Sequence, residues 1–206
     1  SSLLKAHIYL VLVGYVGITI MGMSLVLLPM FWLSHSFSWK PVIIALWLVS
    51  FGVTSVTLST IIGNNILEYL GYLLSIIASM LYIYQIYIIY KTRVRIEKDI
   101  YLDSMVISYS SLFISVILGI VYIFIPNDTL LITIGWTLCL GYVSFIIIGH
   151  LYKIVPFLVW FERFSPLVGK QPVPMLADMV PVKSAKMQFR FSAVGILISA
   201  LGLLLA

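Results

Sequence analysis

The sequence predicts an all-α polytopic membrane protein, a bundle of about six transmembrane helices. Of its 206 residues, 62% are hydrophobic and only 9% are charged, whereas about a quarter of the residues in an ordinary globular domain are charged. The mean hydropathy of +1.15 agrees with a membrane protein. The apolar segments are long and continuous rather than alternating with a period of two, so helices rather than barrel strands are predicted to span the bilayer.

Six segments each reach the length of about 20 residues that a membrane crossing requires. We interpret residues 1–206 as one transmembrane domain, with helices at about 4–34, 41–63, 66–90, 104–126, 129–161 and 188–206. The first and fifth are longer than a perpendicular crossing needs, so we expect them to tilt or to bend at Pro29 and Pro156. Because the chain starts with Ser1 rather than Met, we expect a processed, trimmed or partial chain.

Basic residues decide the predicted orientation. The connections after the first, third and fifth spans contain nearly all of the 12 Lys and Arg: Lys40, Lys91, Arg93, Arg95, Lys98, Arg163, Lys170, Lys183, Lys186 and Arg190. The positive-inside rule therefore places these connections in the cytoplasm and both termini outside, in a bacterial or archaeal inner membrane. We interpret the basic connection at 90–103 as a topology determinant that contacts lipid headgroups, and we expect no nucleic-acid partner.

Several kinds of chemistry find no support in the sequence. Cys139 is the single cysteine, which excludes an intrachain disulfide and a cysteine cluster for zinc or iron–sulfur. No phosphate-binding glycine-rich loop, metalloprotease helix motif or Ser-His-Asp pattern is visible. Soluble-enzyme activity is therefore not predicted, and an oxidoreductase role would depend on a bound heme.

Ionisable side chains inside the predicted spans are the candidate functional residues, because the bilayer makes them costly. They are His7 in the first span, His150 and Lys153 in the fifth, and Glu68 at the start of the third. Glu68 is interpreted as a first-turn residue that interacts favourably with the helix dipole, with a proton relay as the alternative.

His7 lies about one turn into the first helix, and the residue type allows two interpretations. One is a neutral imidazole that is hydrogen-bonded at the membrane interface. The other is an axial ligand to a metal or a heme, since imidazole is the commonest metal ligand in proteins. Gly14 lies two turns further on the same helix face, where a glycine would admit either a porphyrin edge or a closely packed helix.

The first span also carries a family resemblance. Its run AHIYLVLVGYVGITIMG, followed by LLPMF, resembles the heme-ligating helix of heme-copper oxidase subunit I, particularly in C-type oxidases, and the heme membrane proteins of the nitric-oxide response. The resemblance implies that His7 is the ligand of a high-spin heme. Tyr9 stands where the family has a second histidine, the low-spin heme ligand. A reduced or partial member is therefore implied, with heme b as the cofactor and without complete oxygen reduction.

His150 and Lys153 are three residues apart and therefore share one face of the fifth helix. His150 is a second candidate metal ligand, and Lys153 either extends to the inner interface or pairs with a heme propionate or a quinone headgroup. His7 and His150 differ in depth by roughly 27 Å at about 1.5 Å per residue, so we expect no iron held by both. A sixth heme ligand would be absent, or would come from Tyr9, a methionine or another chain.

Three functions follow from these residues. The first is a b-type-heme membrane protein for electron transfer, gas-ligand sensing or respiratory-complex assembly, and the second is an accessory subunit without a cofactor. The third is a small transporter with a polar path at His150 and Lys153. Inverted repeats and broken helices at matching positions would support transport, but the sequence shows no convincing internal repeat. The expected partners are the lipid bilayer and either other membrane subunits or further copies of the chain.

Overall fold

The computed structural model confirms the all-α class. It describes residues 2–96 and 98–205, within which the only β feature is an isolated bridge between Ser34 and Arg93. Six helices are long and apolar enough to cross a membrane: α1 (Leu3–Trp32), α2 (Lys40–Ile62), α3 (Asn65–Lys91), α4 (Ile100–Phe124), α5 (Asp128–Arg163) and α6 (Val182–Leu205). Their order and approximate bounds match the six predicted spans, although Ala206, the predicted end of the last one, lies outside the described residues.

Helices α4 and α6 begin several residues earlier than the hydropathy of the sequence indicated. For α4 the reason is Asp99, whose carboxylate accepts a hydrogen bond from the Leu102 amide at 2.8 Å and so caps the helix. An aspartate in this position stabilises a helix start by about 1 kcal/mol. The first turns of α6 carry Lys183 and Lys186, which lower the hydropathy but have a good intrinsic preference for helix.

Residues up to Ile96 form one compact unit, which contains α1, α2 and α3. Helices α2 and α3 form a hairpin whose short turn consists of Gly63 and Asn64. Gly63 ends α2 at a φ of 74°, a left-handed conformation that glycine adopts without a steric penalty. Asn64 then caps α3 by accepting a hydrogen bond from the Ile66 amide at 2.9 Å. Two successive caps therefore fix the reversal of the chain.

The remainder of the chain forms a second compact unit, which contains α4, α5 and α6. Helix α5 packs on α4 through two glycines. A Cβ atom on Gly141 would lie 2.5 Å from Oγ of Ser111, and one on Gly149 would lie 2.5 Å from Cε of Met105. Small residues let helix backbones approach closely in a membrane, so these glycines set the distance between α4 and α5.

Helices α1 and α5 are each interrupted by a π-helical segment, at Leu10–Gly17 in α1 and at Thr137–Val143 in α5. Such segments are rare, and they occur frequently at functional sites. Both helices also contain a proline further along, Pro29 in α1 and Pro156 in α5.

The two interruptions occupy matching positions in the sequence. When Pro29 is aligned with Pro156, the Gly-Tyr-Val run at 14–16 falls on the Gly-Tyr-Val run at 141–143 without a gap. In the same alignment, the first residue of one π-helical segment falls on the first residue of the other. The two helices therefore share a short sequence motif and also the position of their π-helical segments.

Candidate functional site

Four side chains of the second unit meet where α4 begins: Asp99, Tyr101, His150 and Lys153. We call them the His150 cluster. Nζ of Lys153 lies 2.5 Å from Oδ2 of Asp99, with the two side chains 18% and 30% exposed. Because the other oxygen of the same carboxylate caps α4, Asp99 links Lys153 of α5 to the first turn of α4.

The ring of His150 is oriented from two sides. Its Nδ1 lies 2.7 Å from the carbonyl oxygen of Ile146, one turn earlier in α5. Since a carbonyl oxygen only accepts, Nδ1 carries the proton in this arrangement and Nε2 is the basic nitrogen. The ring also meets the edge of Tyr101, with 5.3 Å between centroids and an interplanar angle of 87°. The imidazole therefore has one defined tautomer and one defined direction.

Tyr101 connects His150 to the ion pair. Nζ of Lys153 lies 5.7 Å from the centroid of the Tyr101 ring, within the range of a cation–π interaction. Tyr101 is only 2% exposed. The cluster thus combines a carboxylate, an ammonium group, an imidazole and a phenol around one largely buried ring.

Close packing surrounds the cluster. A Cβ on Gly149, next to His150, would lie 3.0 Å from Cβ of Ser104 and 3.6 Å from a ring carbon of Tyr101. Ser104 is fully buried, and its hydroxyl has no hydrogen-bond partner among the described residues. A buried hydroxyl of this kind is a position where a water molecule or a bound ion gains hydrogen bonds.

The candidate residues of α1 have different surroundings. The side chain of His7 is exposed, whereas Tyr9 is half-buried and meets Tyr72 of α3 edge-on, at 5.4 Å between ring centroids. A Cβ on Gly14 would lie 3.2 Å from a methyl carbon of Val53. Val53 of α2 therefore packs against Gly14, and a porphyrin edge at this glycine stays a prediction.

The structure thus brings together some predicted site residues and not others. His150 and Lys153 belong to one cluster in the second unit, and Lys153 has the partner Asp99 there. His7, Tyr9 and Gly14 lie on α1 in the first unit, where Tyr9 and Gly14 contact neighbouring helices and the side chain of His7 is exposed.

Heme and metal binding stay predictions. Among residues 2–96 and 98–205 there is no group of three or more His, Cys, Asp or Glu side chains that would hold a metal ion. A heme on His7 would be held at an exposed position. A heme on His150 would need Tyr101 and the close packing at Gly149 to move.

No family model, curated protein or solved structure matches this chain. The resemblance to heme-copper oxidase subunit I thus stays a prediction that rests on the α1 residues alone.

Sequence reasoning missed two members of the His150 cluster, Asp99 and Tyr101. Asp99 had a usable signal, because an aspartate directly before an apolar run is a typical helix N-cap. Tyr101 had none, since its contact with His150 joins residues far apart in the chain. The sequence also left Glu68 without a partner, whereas the hydroxyl of Tyr72, one turn later, donates to its carboxylate at 2.7 Å.

Proposed function

We propose that this chain is an integral membrane protein, oriented with both termini outside, and that it works as a small transporter with its polar site at the His150 cluster. The observation that carries the proposal is the ion pair of Lys153 and Asp99 beside the oriented imidazole of His150. Lys153 and His150 lie within a membrane-spanning helix, where ionisable groups pair with other polar groups and mark the routes of ions and protons.

The interruption of α5 supports the same function. Its π-helical segment ends at Val143, two turns before His150, and α1 carries the matching segment. Transporter folds frequently place their ion sites next to discontinuous helices that occur at corresponding positions of repeated elements. In this proposal the ion pair opens when a small ion enters, and Asp99 or Lys153 then exchanges its partner for that ion.

Ion flux into proteoliposomes tests the proposal. Vesicles containing the purified chain are loaded with the pH dye pyranine, and fluxes of protons, radioactive sodium and radioactive chloride are measured under an imposed potassium–valinomycin potential. We expect one of these ions to move, and we expect His150→Ala and Lys153→Met to slow it. His35→Ala, at an exposed histidine of the α1–α2 connection, is the matched control. If none of the three ions moves through the native chain, the transporter proposal is rejected.

A second candidate function is a b-type-heme membrane protein. The observation that favours it is the hydrogen bond of His150 Nδ1 to the Ile146 carbonyl, because histidines that bind a metal usually donate their other ring nitrogen to a carbonyl or a carboxylate. His7 remains the ligand that the family resemblance implies. A bound heme would supply electron transfer or gas binding, and Lys153 would be placed to pair with a propionate.

A further inference from the structure

Polar side chains follow one face of α3 along its whole length. From Glu68 to Gln85 they recur every three or four residues, so they lie on one side of the helix, and Thr92 follows two turns after Gln85. We call this set the α3 polar row, and its members are Glu68, Tyr72, Ser75, Ser79, Tyr82, Gln85 and Thr92. From the first member to the last, the row covers about 36 Å at about 1.5 Å per residue, which exceeds the roughly 30 Å of a hydrocarbon core.

The row faces the interior of the first unit. Tyr82 and Gln85 are 0% and 1% exposed, and Ser75 is 7% exposed. Tyr84 and Tyr87, on the other side of the same helix, are 56% and 53% exposed. The interior side of α3 is therefore the more polar one, as is usual where membrane helices pack together.

Short hydrogen bonds occur at three levels of the row, one between two of its members and two to residues outside it. At one end the Tyr72 hydroxyl donates to Glu68 at 2.7 Å. In the middle the hydroxyls of Tyr82 and Ser24 of α1 are 2.7 Å apart.

At the other end of the row, the hydroxyls of Thr92 and Ser34 are 2.6 Å apart. Ser34 follows α1, and it is only 2% exposed. Helix α1 and the residues after it thus supply hydroxyl partners to the middle and to the far end of the row.

Gln85 supplies the observation that points to a bound species. Its amide nitrogen Nε2 is buried and has no hydrogen-bond partner among the described residues. Leaving a buried amide without a hydrogen-bond partner is unfavourable, and buried water molecules usually satisfy such groups. An ordered water on Nε2 of Gln85 would extend the row from Tyr82 towards Thr92.

We propose that the α3 polar row is a proton path through the first unit. A proton binds to the carboxylate of Glu68, and the resulting carboxylic acid donates a proton to the next group of the row. Each hydroxyl or intervening water then accepts a proton on one side and donates its own proton on the other, for which Ser79 and Thr92 turn away from the backbone carbonyls to which they donate. The net result is one proton moved from the Glu68 end to the Thr92 end, with every group restored by reorientation. Gln85 acts as a positioning residue that holds a water.

This inference does not rest on the transporter proposal, because all of its residues belong to the first unit. Different variants separate the two proposals. The α3 polar row predicts a slower proton flux in Glu68, Tyr82 and Gln85 variants. The His150 cluster predicts a slower ion flux in His150 and Lys153 variants. Proton flux that survives His150→Ala and falls with Tyr82→Phe supports the row alone.

The decisive comparison is between Tyr82→Phe and Tyr84→Phe. The first removes a tyrosine hydroxyl from the buried side of α3, and the second removes one from the exposed side. Proton flux is measured with pyranine in proteoliposomes under an imposed potential, with an uncoupler to define complete equilibration. We expect Tyr82→Phe to conduct about tenfold more slowly, as for a barrier raised by about 1.4 kcal/mol, and Tyr84→Phe to conduct like the native chain. Glu68→Gln, at the half-buried entrance, is the second variant if Tyr82→Phe does not fold.

Two results would overturn the proposal. One is equal proton flux through Tyr82→Phe and Tyr84→Phe, with Glu68→Gln also unchanged, which would leave the row with only a packing role. The other is an absence of proton flux through the native chain at any imposed potential. Gln85→Leu adds a check, because a water-positioning role predicts a slower flux while Tyr82 and Ser24 keep their hydrogen bond.

Discussion

Gly52 of α2 and Gly71 of α3 meet so closely that neither position has room for a side chain. A Cβ on Gly52 would lie 2.8 Å from the carbonyl oxygen of Gly71, and a Cβ on Gly71 would lie 2.6 Å from the carbonyl oxygen of Gly52. Atoms of two backbones cannot move apart as a flexible side chain would. This reciprocal contact therefore fixes where the two helices of the hairpin cross.

Gly52→Ala is expected to destabilise the first unit. The added methyl group would overlap the Gly71 carbonyl and the Ser75 hydroxyl, and overpacking of this kind costs about 1–3 kcal/mol. Thermal unfolding of the purified chain in detergent measures the loss. Gly22→Ala is the control, because no atom lies within 4 Å of a Cβ there and alanine favours helix by about 1 kcal/mol. Equal stability of the two variants would contradict the crossing at Gly52 and Gly71.

Lys153→Met is expected to destabilise the second unit by leaving the Asp99 carboxylate without its cation. The pair is partly exposed, so the cost lies between that of a surface pair and a buried one, at about 1–3 kcal/mol. Asp99→Asn removes the charge and retains a capping side chain. The double variant should then lose less stability than the sum of the losses in the two single variants. Fully additive losses in thermal unfolding would show that the pair contributes no coupling.

Cysteine labelling should reveal the orientation that the basic residues predict. In a Cys139→Ser background, Pro126→Cys places a thiol between α4 and α5, and Gln171→Cys places one between α5 and α6, both at exposed positions. In intact cells a maleimide that does not cross membranes should label the first and not the second. The reverse pattern would place the basic connections outside and refute the predicted orientation. Labelling after lysis verifies that both thiols are reactive.

A reduced-minus-oxidised visible spectrum with a pyridine hemochrome assay tests the heme prediction. Protein is expressed with ample heme, and the native chain is compared with His7→Ala and His150→Ala. If heme b is bound, its signal should disappear in the variant that lacks the ligand and persist in the other. A colourless native chain would remove the heme hypothesis and leave the transporter and accessory-subunit interpretations.

The sequence predicted the helices better than it predicted their contacts. Continuous apolar runs are long enough to identify spans, so the order and approximate ends of all six helices followed from composition and length. Helix starts shifted where a local cap outweighed hydropathy, as at Asp99 before α4. The π-helical segments had no recognisable signal, because Leu10–Gly17 has the residues of an ordinary apolar helix.

Sequence reasoning identified two of the four residues of the His150 cluster. His150 and Lys153 stood out because ionisable groups are rare in apolar spans, and their spacing placed them on one face. Their partners Asp99 and Tyr101 belong to another helix, and no periodicity within one segment indicates which helices pack together. Glu68 and Tyr72 show the opposite case, since their hydrogen bond joins residues four apart in one helix and the spacing alone would have suggested it.

The short turn at Gly63 and Asn64 has a consequence for biosynthesis. Because it joins α2 directly to α3, the contacts of this hairpin are close in sequence, and contacts between near neighbours in the chain form fastest. We therefore expect the hairpin to leave the translocation machinery as a pair of helices that are already associated. Helix α1 is synthesised earlier and would enter the bilayer before this pair. Gly14 would then pack against Val53, and Ser24 would form its hydrogen bond with Tyr82, only after the pair has inserted.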